Sequence, residues 1–212
     1  MDDEDTLVPW AASELEPGQV RSLLPGDEGR RPIRVTPPAA ACRKVLFSTK
    51  DQWLSTLAPE GPPRDVALIT RYGPVDAERR ALLRPIAAAF AAPIVFAGDL
   101  DPLDLAAFAT LALGPDPIPM RYVGIDDAWL NLCEVDLATR DRVLERVCIR
   151  LNDDERTGLD RLAKLPIDWP ALVGPRCWAL LQAGLKLELE GASNPAMYSN
   201  PFRTELAARL FT

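Results

Sequence analysis

Pro93-Ile94-Val95-Phe96-Ala97-Gly98-Asp99-Leu100-Asp101-Pro102 is an apolar run that ends in two carboxylates spaced i, i+2. A short apolar segment bounded by Pro and Gly reads as a buried strand. In an open α/β sheet ligands collect outside the carboxyl ends of the strands, so these acids fall where a site is expected. An i, i+2 pair just past a strand end can turn both side chains toward one divalent ion. Mg²⁺ suits such a place, because it takes one or two carboxylates and fills its octahedron with water or phosphate oxygens. The competing reading is structural: Asp99 and Asp101 cap a helix that starts near Leu103, with Pro102 in its first turn.

Outward from this run, short β-rich stretches alternate with helix-period segments. Lys44–Ser48, Val66–Thr70, Ile94–Gly98 and Met120–Ile125 are candidate strands, separated by helices expected over Lys50–Leu57, Asp76–Phe90 and Leu103–Leu113. Pro85 predicts a kink or a break in the second helix. Beyond Ile125 the strand signal fades, and helices are expected over Ala128–Val135, Thr139–Leu151, Asp154–Leu165, Arg176–Glu190 and Arg203–Phe211. The fold class is therefore α/β: an open parallel sheet of about four strands flanked by helices, with a helical C-terminal region. Residues 1–40 hold six acids in the first 16 positions and then a Pro/Gly-rich stretch, which reads as an extended arm. Leu7, Val8, Trp10 and Leu15 equip that arm to dock on the body or on a partner. Residues 41–192 form the main domain and 193–212 a C-terminal helix.

Composition removes whole classes of function. The 212 residues are 48% apolar and 26% charged, as in ordinary globular proteins. The net charge of −7 is against a chain that coats nucleic acid by electrostatics alone. No histidine is present, which excludes Ser-His-Asp and Cys-His catalysis and imidazole-ligated zinc. The four cysteines, Cys42, Cys133, Cys148 and Cys177, are too far apart in sequence for a zinc knuckle or a C-x-x-C motif. Neither a P-loop nor a G-x-G-x-x-G fingerprint occurs, so any ATP chemistry belongs to a partner chain. No apolar run reaches membrane-spanning length, and the start Met-Asp-Asp-Glu-Asp is unlike a signal peptide, so a cytoplasmic location without membrane contact is expected.

Several segments, in order, carry a resemblance. Lys44–Ser48 is followed by Ile69-Thr70-Arg71-Tyr72-Gly73-Pro74-Val75-Asp76 with Arg79-Arg80, then by Gly98-Asp99-Leu100-Asp101-Pro102 and by Met120-Arg121-Tyr122-Val123-Gly124-Ile125. Leu151-Asn152-Asp153-Asp154-Glu155-Arg156 and Gln182-Ala183-Gly184-Leu185-Lys186-Leu187-Glu188-Leu189-Glu190 complete the series. Together, over residues 43 to 192, they resemble the Toprim domain of the topoisomerase VI A subunit, its meiotic break-forming relatives and the Wadjet defence nuclease subunit. The resemblance implies a four-stranded parallel core and a Mg²⁺ site that helps to cleave or hold a DNA phosphodiester. It assigns metal binding and catalysis to Asp99 and Asp101. Glu188 or Lys186 would complete the acidic site from a closing helix.

Two departures bear on activity. The family carries a Glu at the end of the first strand, before a Lys; here that position is Thr49, followed by Lys50 and Asp51. Threonine is neither a charged Mg²⁺ ligand nor a carboxylate proton acceptor, and Asp51 is the only nearby acid to stand in for it. The topoisomerases place a nucleophilic Tyr on a domain ahead of Toprim, and no Tyr precedes this domain. Lys50, Arg71, Arg79 and Arg80, with Arg84 beyond them, are expected to face a DNA phosphate backbone or else to form a solvated face balanced by Asp76 and Glu78. Trp53, Trp129, Trp169 and Trp178 fit packing better than base stacking. Asp126 and Asp127 read as caps of the following helix.

The functional expectation is a degenerate, non-catalytic Toprim-fold subunit of a DNA-processing or DNA-defence complex, partnered by an ATPase or another subunit, in which Mg²⁺ binds weakly or not at all. The alternatives are an active Mg²⁺-dependent DNA nuclease using Asp99 and Asp101, and a carboxylate-metal enzyme acting on a small phosphorylated substrate.

Overall fold

A computed structural model describes residues 21–22, 33–50, 62–71, 77–114, 117–136, 148–189 and 200–212. The expected strands lie side by side in one six-stranded sheet. Here β1 is Arg21–Ser22, β2 Arg34–Thr36, β3 Lys44–Ser48, β4 Val66–Thr70, β5 Ile94–Ala97 and β6 Met120–Tyr122, in the spatial order β1-β2-β4-β3-β5-β6. Strands β4, β3, β5 and β6 run parallel, while β1 and β2 add antiparallel to the β4 edge. Every residue of β3 is buried, as an apolar strand covered on both faces should be.

The helices are α1 Ala77–Phe90, α2 Pro102–Leu113, α3 Asp127–Asp136, α4 Asp153–Leu162, α5 Trp169–Val173, α6 Pro175–Gln182 and α7 Asn200–Phe211. The helical C-terminal region is present. Pro85 lies inside an unbroken 14-residue α1, so the expected break does not occur. The helix expected over Lys50–Leu57 lies outside the described residues except for Lys50.

Three differences from the sequence reading change the picture around the site. The arm is not wholly outside the fold: Ile33 and Val35 are fully buried, and β2 pairs with β4. The helix expected over Thr139–Leu151 is a strand in its last residues, β7 Cys148–Arg150; residues 137–147 lie outside the description. The helix expected over Arg176–Glu190 stops at Gln182, and Leu185–Leu187 forms β8, antiparallel to β7. Gly184 is the cause. It adopts φ +78°, a left-handed conformation that closes α6, and its N–H donates to Leu181 O at 2.8 Å. Past it, Leu185, Leu187 and Leu189 alternate with Lys186 and Glu188, the period of a strand.

The strand order locates the working end of the sheet. From β3 the chain leaves toward β4, whereas from β5 it leaves toward β6, so the crossovers diverge between β3 and β5. Such a switch point opens a crevice at the carboxyl ends of the two strands. The β3–β5 register pairs Ser48 with Ala97 and so sets Thr49-Lys50 beside Gly98-Asp99. Beneath this point Phe96 packs against Phe47, Phe108 and Tyr122, with centroids 5.5 to 6.1 Å apart, an aromatic floor that holds the turn.

Candidate metal centre

The turn after β5 feeds directly into α2, and both sequence readings of its acids are partly realised. Asp101 is the N-cap: its Oδ1 accepts the Asp104 N–H at 2.7 Å, and Pro102 opens the helix. Asp99 does not cap. Its Oδ1 accepts the Leu189 N–H at 2.7 Å, and its Oδ2 lies 2.7 Å from Lys50 Nζ.

A third acid joins them from the first turn of α2. Asp104 Oδ2 accepts hydrogen bonds from the Asp99 N–H and from Thr49 Oγ1, both at 2.7 Å. One carboxylate oxygen from each of Asp99, Asp101 and Asp104 can be chosen so that all three lie within 4.8 Å of one another. All three side chains are buried, Asp99 completely. Gly98 makes room for this approach, since a Cβ there would sit 2.6 Å from the Phe96 ring and 3.0 Å from Asp104 Oδ2.

Asp104 was absent from the sequence reading. The spacing Gly98-Asp99-Leu100-Asp101-Pro102-Leu103-Asp104 contains it, but an acid in a helix's first turn has an ordinary role against the helix dipole, so sequence alone gives it no distinction. In space it occupies the neighbourhood of Thr49, where the resemblance calls for a Glu.

Electrostatics follow from burial. Loss of water pushes the Asp99 carboxyl up to about 7, against the opposing pull of Lys50 and the Leu189 N–H. Burial also raises Asp101, with the Asp104 N–H pulling the other way. Asp104 is raised well above the usual carboxylate range, first by burial and then by the charges of Asp101 and Asp99.

The C-terminal segment closes the site as an extended strand, not as the expected helix. Leu100 and Leu187 exchange backbone hydrogen bonds at 2.9 and 3.2 Å, which brings Leu189 onto Asp99. Lys186 Nζ lies 2.8 Å from Glu155 and 3.2 Å from Glu188. Burial lowers the Lys186 pKa, but these two carboxylates outweigh it and hold the ammonium above its ordinary value. Glu188 thus stands at the rim as a partner of Lys186, and Lys186 is close enough to Asp101 to draw its pKa down.

Of the basic residues expected at a phosphate backbone, the side chains of Lys50, Arg71 and Arg84 are among those described. Lys50 is committed to Asp99. Arg71 is buried at the end of β4, its N–H bonded to Ser48 O at 2.9 Å. Arg84 is exposed beside Pro93 and Ile94, at the amino end of β5, away from the acids. Arg79 and Arg80 lie at the start of α1, and Asp51 is outside the described residues.

Asp126 caps α3 through the Trp129 N–H at 2.8 Å and pairs with Arg209 of α7. Asp127 instead accepts the Arg176 and Cys177 N–H groups and caps α6. Trp129, Trp169 and Trp178 are buried, the last two stacked on each other.

Among the described residues no helix is long and apolar enough to cross a membrane. No protein-family model matches the chain, and no curated protein matches it either.

As a donor set, three carboxylates fit a hard, oxygen-seeking cation such as Mg²⁺. The arrangement around them fits it poorly. An ammonium already touches Asp99, and each acid has an oxygen committed to a protein donor.

Proposed function

We propose that this chain is a Toprim-like subunit of a DNA-processing or DNA-defence complex in which the acid cluster is neutralised from within. The chain then holds a protein partner or DNA and does not cut. The observation that carries this reading is the Lys50–Asp99 contact at 2.7 Å, beside a Thr49 that stands where the resemblance expects the catalytic Glu. A buried ammonium supplies the positive charge a divalent ion would otherwise bring. A threonine hydroxyl cannot act as the missing carboxylate base.

The reading is tested with full-length protein in a thermal-shift titration of MgCl₂ and MnCl₂, run beside a supercoiled-plasmid assay. The expected result is an unfolding midpoint indifferent to millimolar Mg²⁺ and a plasmid that stays intact. Cleavage that requires Mg²⁺ and is lost in Asp101→Ala overturns it.

A second reading, the active Mg²⁺-dependent nuclease, is favoured by one feature. Asp104 reaches the Thr49 position, so three carboxylate oxygens converge within 4.8 Å even without the family's Glu. In that reading Asp99, Asp101 and Asp104 would hold the ion, which would offset charge on a phosphodiester. The same two assays separate the readings, because only this one requires Mg²⁺ stabilisation that disappears with Asp104→Asn.

A further inference from the structure

The groove between α2 and α4, of about 680 Å³, leaves Leu103, Leu113 and Leu165 exposed, and nothing in the structure shows what covers it. The acid cluster, by contrast, already has an occupant, a cation of the chain itself. Lys50 follows the end of β3, and its Nζ lies 2.7 Å from Asp99 Oδ2. That oxygen is buried, and among the described residues it has no other polar contact. The Lys50 side chain is 16% exposed, so part of it still meets water.

The two obstacles to a divalent ion are unequal. Hydrogen bonds from the fold take one oxygen of each carboxylate: Asp99 Oδ1 accepts the Leu189 N–H, Asp101 Oδ1 the Asp104 N–H, and Asp104 Oδ2 the Asp99 N–H and the Thr49 hydroxyl. The second oxygens of Asp101 and Asp104 accept no hydrogen bond among the described residues, and that of Asp99 is the one Lys50 touches. One oxygen therefore remains on each of three acids, whereas Mg²⁺ takes one or two carboxylates and fills its octahedron with water or phosphate oxygens. Thr49 leaves no gap in this set, because its buried hydroxyl holds Asp104 at 2.7 Å. The ammonium is the remaining obstacle, since like charges repel strongly where water is excluded.

We infer, on the reading that the cluster is neutralised from within, that Lys50 is a tethered cation standing in for a divalent ion in an otherwise complete three-carboxylate site. Withdrawing this one side chain, with Thr49 unchanged, admits the ion. A lysine stem is long and flexible, so the ammonium can leave without any shift of β3.

The test compares the full-length wild type with Lys50→Met and Lys50→Gln, the second of which keeps a polar group beside Asp99. Thermal unfolding is followed together with electron paramagnetic resonance of Mn²⁺. The wild type should be indifferent to millimolar MnCl₂ and MgCl₂. Both variants should bind one Mn²⁺ per chain, and their midpoints should rise by about 5 °C or more at saturating metal. Adding Asp104→Asn to either should abolish the rise. A Lys50→Gln chain that is indifferent to both ions, or that stays unfolded with and without them, overturns the inference and leaves the scaffold reading standing. So does a metal response that survives Asp104→Asn. A wild type that is itself stabilised by Mg²⁺ overturns both.

Discussion

The acid cluster and the α2/α4 groove lie at opposite ends of the burial scale, and each has the residue type that burial alone would not choose. The cluster hides three carboxylates from water; the groove leaves three leucines in it. The cluster is compensated from inside the chain, by Lys50, Thr49 and the backbone N–H groups of Asp99, Asp104 and Leu189. The groove has no such compensation within the described residues. A buried charge must be satisfied within its own fold, because stranding it costs several kcal/mol. An exposed leucine costs little, and the fold tolerates it without a partner.

The sharpest way to break this contrast is to remove the internal cation. Lys50→Met should lower stability by about 3–5 kcal/mol in urea unfolding at neutral pH, the penalty for leaving buried carboxylates without their counter-charge. An unchanged midpoint would mean that Lys50 does not neutralise the site.

The next largest effect is on pH dependence. The Asp99 carboxyl titrates near 7 when folded but near ~3.9 when unfolded, so the folded chain binds the proton more tightly between those values. Stability therefore falls as pH rises through that window, and the loss is complete above about 7. Asp101 and Asp104, also raised, act in the same direction. Thermal unfolding should show a higher midpoint at pH 5 than at pH 8, with a smaller gap in Asp99→Asn. A midpoint that climbs steadily over the same range would contradict the burial of these acids.

A smaller change tests the strand that closes the cluster. Gly184→Ala forces a Cβ onto a left-handed backbone and against the Arg156 guanidinium, 2.6 Å away, and should cost about 1–2 kcal/mol by chemical denaturation. Its effect should be felt in β8, and so at the Leu189 N–H that supports Asp99. On the groove side the expected effect is smallest. Leu113→Ser should shift stability by less than about 0.5 kcal/mol, since this leucine adds little to its own fold.

The central strands were legible because parallel strands buried on both faces read as unbroken apolar runs, and Lys44–Ser48 and Val66–Thr70 have the limits read from sequence. The placement of Asp99 and Asp101 at the carboxyl end of a central strand was legible for the same reason. The alternation of Leu185 to Leu189 was visible too, but it follows a helix without a break other than Gly184. Whether that glycine ends the helix or lies within it depends on what receives the next segment. Here the receiver is the Leu100 backbone, 87 residues earlier in the chain.

The sequence by itself determined the α/β class, the parallel core and the edge of the sheet where two aspartates gather, because local period and strand polarity are written in neighbouring residues. Only the tertiary structure decided that Asp104 joins them, that Lys50 turns inward to Asp99, and that the closing segment is a strand. Those three outcomes depend on side-chain direction and on contacts 49 to 90 residues apart. The free energy that selects such contacts comes from burying charge beside a partner, and local sequence does not record the distance to that partner.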